Sequence, residues 1–272
     1  MRGFPWHGGG VNAEGDGMLI SGCVESLFLR EHGDVVARMR ACAAAGLEAV
    51  EFWLWRDKDL GAIERVLGET GLALSGFCVE PRLPIVDPGT HAAWLEGVRE
   101  SLAVAKRLGA PSLIVLSGDE IPGVARGAQR DAVVAALRAA APLAEAAGVR
   151  LLLEPLNIAR DHVGYFVHST AEGLDIVEAV GSPGVGLLYD IYHSAMMGER
   201  QEVVLAGRGH LVGHVHVADV NGRHEPGSGS VDWGARMRGL REMGYAGAVG
   251  LEFWPTGGTV EALARTRAVL GG

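Results

Sequence analysis

The segment EAAGVRLLLEP, residues 145–155, decides how the chain is read. Good helix formers run up to Gly148, an apolar run of strand length follows, and an acid and a proline close it. A glycine after a helical run supplies the left-handed cap that ends a helix, so residues 149–154 read as a strand entered directly from a helix. The same phrase recurs as AAAGLEAVEF (43–52), GETGLALSGF (68–77) and KRLGAPSLIV (106–115). Repetition of helix, glycine and strand describes βα units that build a parallel sheet.

Working outward, strands are expected at 19–25, 49–53, 73–78, 112–117, 149–154, 185–190, 211–218 and 248–254. Segments rich in Ala, Leu and Arg at 33–45, 58–70, 91–108, 128–147, 170–180 and 259–270 consist of helix formers. No linker or composition break divides residues 18–272, which are expected to form one α/β domain, a (β/α)8 TIM barrel of the usual length of about 250 residues. An open doubly wound sheet is the alternative, but no GxGxxG follows the first strand and no Walker glycine–lysine loop occurs. Residues 1–17, MRGFPWHGGGVNAEGDG, read as a flexible extension, since they carry neither the apolar run of a signal peptide nor a membrane anchor.

Hydrophobic residues make up 48% of the chain, enough for a large core, and a formal net charge of −9 disfavours binding to nucleic-acid backbones. Cys23, Cys42 and Cys78 sit in apolar runs away from metal-ligand spacing and read as core residues in a reducing, cytoplasmic setting. No membrane partner is expected, and the sequence is compatible with a homo-oligomer.

In a barrel, chemistry gathers at the carboxyl ends of the strands. Strand five ends at Glu154, six at Asp190, seven at His216 and eight at Glu252, each about one βα repeat after the last. Side chains alternate across a strand, which turns Leu152 and Glu154 inward, and His214 and His216 with them. Three carboxylates converging on one mouth repel unless a cation sits among them. Three oxygens and one imidazole suit Mn2+, Mg2+ or Co2+, with Zn2+ less favoured because structural zinc prefers thiolates. Taken singly, each acid also fits a helix cap or an ion pair. His214 lies one layer deeper and reads as a core or supporting histidine. Asp219 and His224, in the same loop, are either solvated residues or reserve candidates for the site.

Two further residues are placed for a substrate, and each, taken alone, also fits a plain surface or supporting role. His193 follows Asp190 where strand six gives way to loop, and Arg223 lies in a glycine-rich loop after His216. A guanidinium above a metal site suits a carboxylate or polyol oxygens. Trp53, Trp55, Phe28 and Trp254 fall near strand ends and could wall the pocket, or be ordinary packing.

The segments AAGLEAVEFW, LLLEPLN, GYFV, VGLLYDIYHSAMMGE, GHVHVADVNGRHEPGSGSVDW and GYAGAVGLEFWP together resemble the hydroxypyruvate isomerase group of the xylose isomerase-like barrels. That superfamily also includes ketose 3-epimerases and apurinic endonucleases. The resemblance implies one divalent ion held by Glu154, Asp190, His216 and Glu252, with the two glutamates also serving as acid and base and with His193 and Arg223 contacting substrate. It implies interconversion of a small 2-hydroxy aldehyde and ketone through an enediolate. Two departures keep a ketose 3-epimerase open. The ligand at His216 is commonly glutamine in the hydroxypyruvate branch and histidine in the epimerases, and IARDHV (158–163) is one residue longer than that branch predicts. NGRHEPGSG (221–229) is nearer the hydroxypyruvate branch. An endonuclease would need a multi-zinc cluster and a basic face, and neither is evident.

Overall fold

In the computed structural model, which describes residues 18–271, Gly71, Gly109, Gly148 and Gly181 take left-handed φ values of 73°, 75°, 68° and 70° at helix ends. The extension expected over residues 1–17 lies outside the described residues. The strands that follow are β1 (Leu19–Cys23), β2 (Ala49–Glu51), β3 (Ala73–Cys78), β4 (Ser112–Val115), β5 (Arg150–Leu153), β6 (Val185–Asp190), β7 (Val212–Val217) and β8 (Ala248–Leu251). All pair in parallel with their sequence neighbours, and β1 closes on β8, which makes the expected eight-stranded barrel.

Around it lie α1 (Val35–Ala44), α2 (Leu60–Thr70), α3 (His91–Leu108), α4 (Arg126–Ala147), α5 (Thr170–Val180), α6 (Ile191–Met196), α7 (Gln201–Val204), α8 (Trp233–Glu242) and α9 (Thr259–Leu270). Several strands are shorter than their apolar runs, because the last residues leave the ladder to face the mouth. His193 is one departure from expectation: it sits in α6, whose N-cap is Asp190, and not in a loop.

Alternation splits each strand between two environments. Leu151 and Leu153 join the large core between sheet and helices, whereas Leu152 packs inside the barrel with Cys78, Ile114 and Leu188. That inner apolar layer closes the barrel from within, so the polar side chains at the strand ends rest on a packed floor. Cys23, Cys42 and Cys78 are buried free thiols. Among the described residues no helix is long and apolar enough to cross a membrane.

Gly148 tests how much the helix-to-strand turn matters. A Cβ added there meets nothing within 4 Å, so substitution carries a backbone cost alone. Gly148→Ala should lower unfolding free energy by about 1–2 kcal/mol, the cost of a non-glycine residue in the left-handed region. Urea denaturation measures it, and an unchanged midpoint would show that the turn relaxes freely.

Candidate metal centre and active site

Glu154 and Glu252 each lie one residue beyond their strands, Asp190 ends β6, and His216 lies in β7. Their ligand atoms all fall within 4.8 Å of one another, and all four residues are buried. The structure thus brings together the four groups that strand-end parity singled out. His216 Nδ1 is 3.5 Å from Glu154 Oε1 and 3.2 Å from Glu252 Oε2. Asp190 divides its carboxylate: Oδ1 caps α6 by accepting from the Tyr192 and His193 amides, while Oδ2 faces His193 and Arg223, each at 3.5 Å. Asp190 therefore is a helix cap, and its second oxygen remains turned toward the other acids' cluster.

The set fits a divalent cation on electrostatic and hydrogen-bonding grounds. Three buried carboxylates share one small volume, and neither ring nitrogen of His216 completes a hydrogen bond, although Nδ1 faces two of them. Protons and a guanidinium meet part of the demand for positive charge. Burial alone would depress His216, yet Glu51 and Glu252 hold it well above the ordinary histidine range. Burial pushes Glu154 up to about 7, with His216 opposing and the Glu252 and Asp190 charges adding to it. Glu252 is also buried, but Arg223 and His216 outweigh that and keep its carboxyl well below the usual range. Oxygen and imidazole donors of this kind suit a hard or borderline divalent ion.

Beneath this set lies a residue that the strand-end argument passed over. Glu51, 3% exposed at the end of β2, accepts from His214 Nε2 at 2.9 Å and from Ser75 Oγ at 2.8 Å, and its Oε1 is 2.9 Å from His216 Nε2. Ser75 Oγ in turn is 2.7 Å from Ser21 Oγ. Glu51 is thus positioned to take the Nε2 proton of His216 and aim Nδ1 at the carboxylates, the usual support for a metal-bound histidine. His214 is a supporting histidine, as parity suggested. Gly250 makes room for this arrangement: a Cβ there would come within 2.4 Å of Glu51 Oε1 and 2.6 Å of His216 Cδ2.

Above the carboxylates is a cavity of about 170 Å3 lined by residues that include Trp53, Arg82, Glu154, His193, Arg223 and Glu252. His193 is 2% exposed, and its Nδ1 accepts from the Asn157 amide at 3.1 Å. An amide can only donate, so the neutral ring carries its proton on Nε2, which is buried, lies 3.5 Å from Asp190 Oδ2 and completes no hydrogen bond. Burial, with Arg223 adding, holds His193 well below the usual histidine range, so the ring stays neutral. Asn157, unnoticed in the sequence, fixes this tautomer, and its Nδ2 donates to Asp161 at 2.8 Å.

Arg223 reaches the cavity as expected, and it also sits on Glu252 and lies 3.5 Å from Asp190. Trp53 lines the pocket and donates from Nε1 to Glu252 Oε1 at 2.6 Å, with Trp254 edge-on against it. Trp55 instead bonds Ser101, and Phe28 packs in the core. Of the two alternatives for Asp219, the solvated one is excluded. The side chain is fully buried and accepts from the amides of Val220, Gly227 and Val231 and from Trp233 Nε1. Asp219 thereby folds the loop that carries Arg223. His224 is also engaged, through Nδ1 to the Trp254 carbonyl at 2.7 Å.

A family model described as the xylose isomerase-like TIM barrel matches residues 39–269. A Homo sapiens protein named "Putative hydroxypyruvate isomerase" is 35% identical over 261 residues, covering 89% of this chain and 92% of that protein. The 2-oxo-tetronate isomerase of Cupriavidus necator is 28% identical over 253 residues, with coverage of 90% and 96%. A crystal structure of an AP endonuclease, family 2, from Brucella melitensis aligns with a TM-score of 0.86 at 28% identity, covering 92% of this chain and 98% of that one.

Two outcomes follow from the geometry. Glu51→Gln and Gly250→Ala should each weaken Mn2+ binding by about tenfold to hundredfold, the usual effect of losing the group behind a ligand histidine. Calorimetric affinities equal to the parent protein's would remove Glu51 from the site. Because His216 and Glu154 hold protons near neutrality, Mn2+ binding should release protons and weaken as the pH falls below 7. Titrations in two buffers of different ionisation enthalpy count those protons, and a count of zero would contradict the protonation pattern.

Proposed function

The chain belongs to the xylose isomerase-like TIM barrel family, and on that premise we propose that it is a hydroxypyruvate isomerase-like enzyme that interconverts a small 2-hydroxy aldehyde and the matching ketone. The observation that carries this reading is the pair Glu154 and Glu252, from β5 and β8, flanking one cavity in opposite electrostatic settings.

Isomerisation takes a proton from the carbon bearing the hydroxyl and returns one to the former carbonyl carbon, through an enediolate. A divalent ion held by Glu154, Asp190, His216 and Glu252 would supply the Lewis acidity that polarises the carbonyl and offsets the enediolate charge. The protein's own groups account for the proton movements. Glu154 is lightly engaged and titrates near neutrality, which matches a group that gives and takes a proton in each turnover. Glu252 is held from one side by Trp53 and from the other by Arg223 and His216, so its free lone pairs have a fixed direction. The Nε2–H of His193, which completes no hydrogen bond within the protein, can donate to a substrate oxygen as negative charge builds on it. Arg223 provides positive charge at the same face.

The small cavity that both glutamates line, about 170 Å3, favours a short substrate. Hydroxypyruvate and 2-oxo-tetronate, from the names of the relatives, share a carboxylate, a 2-oxo group and a 3-hydroxyl. Ketose 3-epimerisation is the second reading, favoured by a histidine at position 216. Both reactions use two glutamates, but epimerisation returns the proton to the same carbon.

The test is incubation of Mn2+-loaded protein in D2O with hydroxypyruvate, 2-oxo-tetronate and C4 to C6 ketoses. Deuterium at the carbon next to a migrated carbonyl is the expected result. Inversion at C3 without migration would select the epimerase, and no exchange in any compound would refute both. Glu154→Gln and Glu252→Gln should each lower kcat by about 10²- to 10⁴-fold, the range of general acid–base catalysis, with the fold kept. Losses under about tenfold in both would remove the two-glutamate mechanism.

A further inference from the structure

Two guanidinium groups line the cavity, and they differ in what they already hold. Arg223 is shared between Glu252 and Asp190. Arg82, on the connection between β3 and α3, lines the same cavity and among the described residues makes no hydrogen bond or ion pair. The chain on either side of it is fixed. Val79 donates its amide to Ile114 O at 2.9 Å, and Leu83 to Pro81 O at 2.9 Å. Ile85 and Val86 are buried, and Val86 donates its amide to Ser117 O at 3.2 Å. An anchored backbone therefore presents an exposed, uncommitted arginine to a cavity whose other guanidinium is already engaged.

We propose that Arg82 binds the carboxylate of the substrate and thereby selects 2-oxo acids over neutral ketoses, leaving His193 and Arg223 to the oxygens of the reacting carbons. This rests on the isomerase reading above. In a 2-oxo-3-hydroxy acid the carboxylate is bonded directly to the reacting pair, so its binding group must border the same small cavity as Glu154 and Glu252. Arg82 does so. A carboxylate entering a mouth that already holds Glu154, Asp190 and Glu252 needs a cation not neutralised by them. Arg223 is engaged with two of the three, whereas the planar fork of Arg82 is free to meet a carboxylate with two parallel hydrogen bonds. A lysine would keep the charge and lose that fork.

The experiment compares the parent chain with Arg82→Gln and Arg82→Lys, all Mn2+-loaded, on hydroxypyruvate and on the neutral ketose erythrulose. Calorimetric titration with the unreactive acid D-glycerate and its neutral counterpart glycerol accompanies it. Arg82→Gln should lower kcat/KM for hydroxypyruvate by about tenfold to hundredfold, mainly through KM, as for a lost charged hydrogen bond. That loss should exceed the loss on erythrulose at least tenfold, with Arg82→Lys intermediate and D-glycerate binding weakened by a similar factor. Equal losses on acid and ketose, or undiminished hydroxypyruvate turnover, would overturn the assignment. If the parent protein turns over neither compound, the isomerase reading falls separately and D-glycerate decides. Binding that exceeds glycerol's and drops in Arg82→Gln supports the carboxylate site. Binding that is no stronger than glycerol's, or unaffected by the substitution, refutes it.

Discussion

Mutual repulsion among Glu154, Asp190 and Glu252 is the constraint that organises this molecule. A closed barrel leaves no freedom to spread them: once the strands pair in register, their carboxyl ends converge. Packed within the barrel, below the ring of acids, are Cys78, Ile114, Leu152 and Leu188, which exclude water and make each unbalanced charge more costly. The structure answers with positive charge from the Arg223 guanidinium and from a proton on His216, and a divalent ion among the acids would take the place of that proton. None of these would be stable in so apolar a setting without the acids, and the acids would not ionise together without them.

The polar groups below the site follow from the same demand. An imidazole that must offer one nitrogen upward has to lodge its other nitrogen somewhere, and Glu51 occupies that place. Burying a second carboxylate layer would be unfavourable unless it too were satisfied, and His214 and Ser75 donate to it. Ser75 then meets Ser21. The barrel interior thus changes from apolar to polar according to which strand faces His216, and Gly250 on β8 keeps the space in which that change occurs.

How much of this could be read from the chain depended on whether the signal was periodic. Strand identity, the closed barrel and the four converging groups are all consequences of a repeat with alternating parity, and they lie in the sequence as spacing. Glu51 obeys the same rule, at the inward end of β2, but the strand is three residues long and the following FWLW masks where it stops. Asn157 and Asp219 follow no period. Their roles come from hydrogen bonds made across loops, to His193 in one case and to the amides of residues 220, 227 and 231 in the other. Polar residues in a glycine-rich stretch look solvated until the fold shows that the loop wraps around them. His193 lies in the region the sequence points to but in a helix and not a loop, because Asp190 serves as both strand end and helix cap.

The loop carrying Arg223 shows how such non-periodic contacts reach the chemistry. Asn221, Gly222 and Arg223 all have positive φ, at 68°, 128° and 56°, and two of them are not glycine. Conformations of that kind persist only where surrounding contacts over-determine them. Here the contacts are visible: Asp219 gathers the loop from within, and the Trp254 amide donates to the Arg223 carbonyl at 2.8 Å. Trp254 stands two residues past Glu252, so the backbone that positions one glutamate also clamps the arginine that lowers its basicity. Glu154 has no such clamp. The asymmetry between the two carboxylates is therefore built into the connections after β7 and β8, and it exists before any ion or substrate arrives. That asymmetry lets one barrel mouth hold a proton on one glutamate while keeping the other ionised.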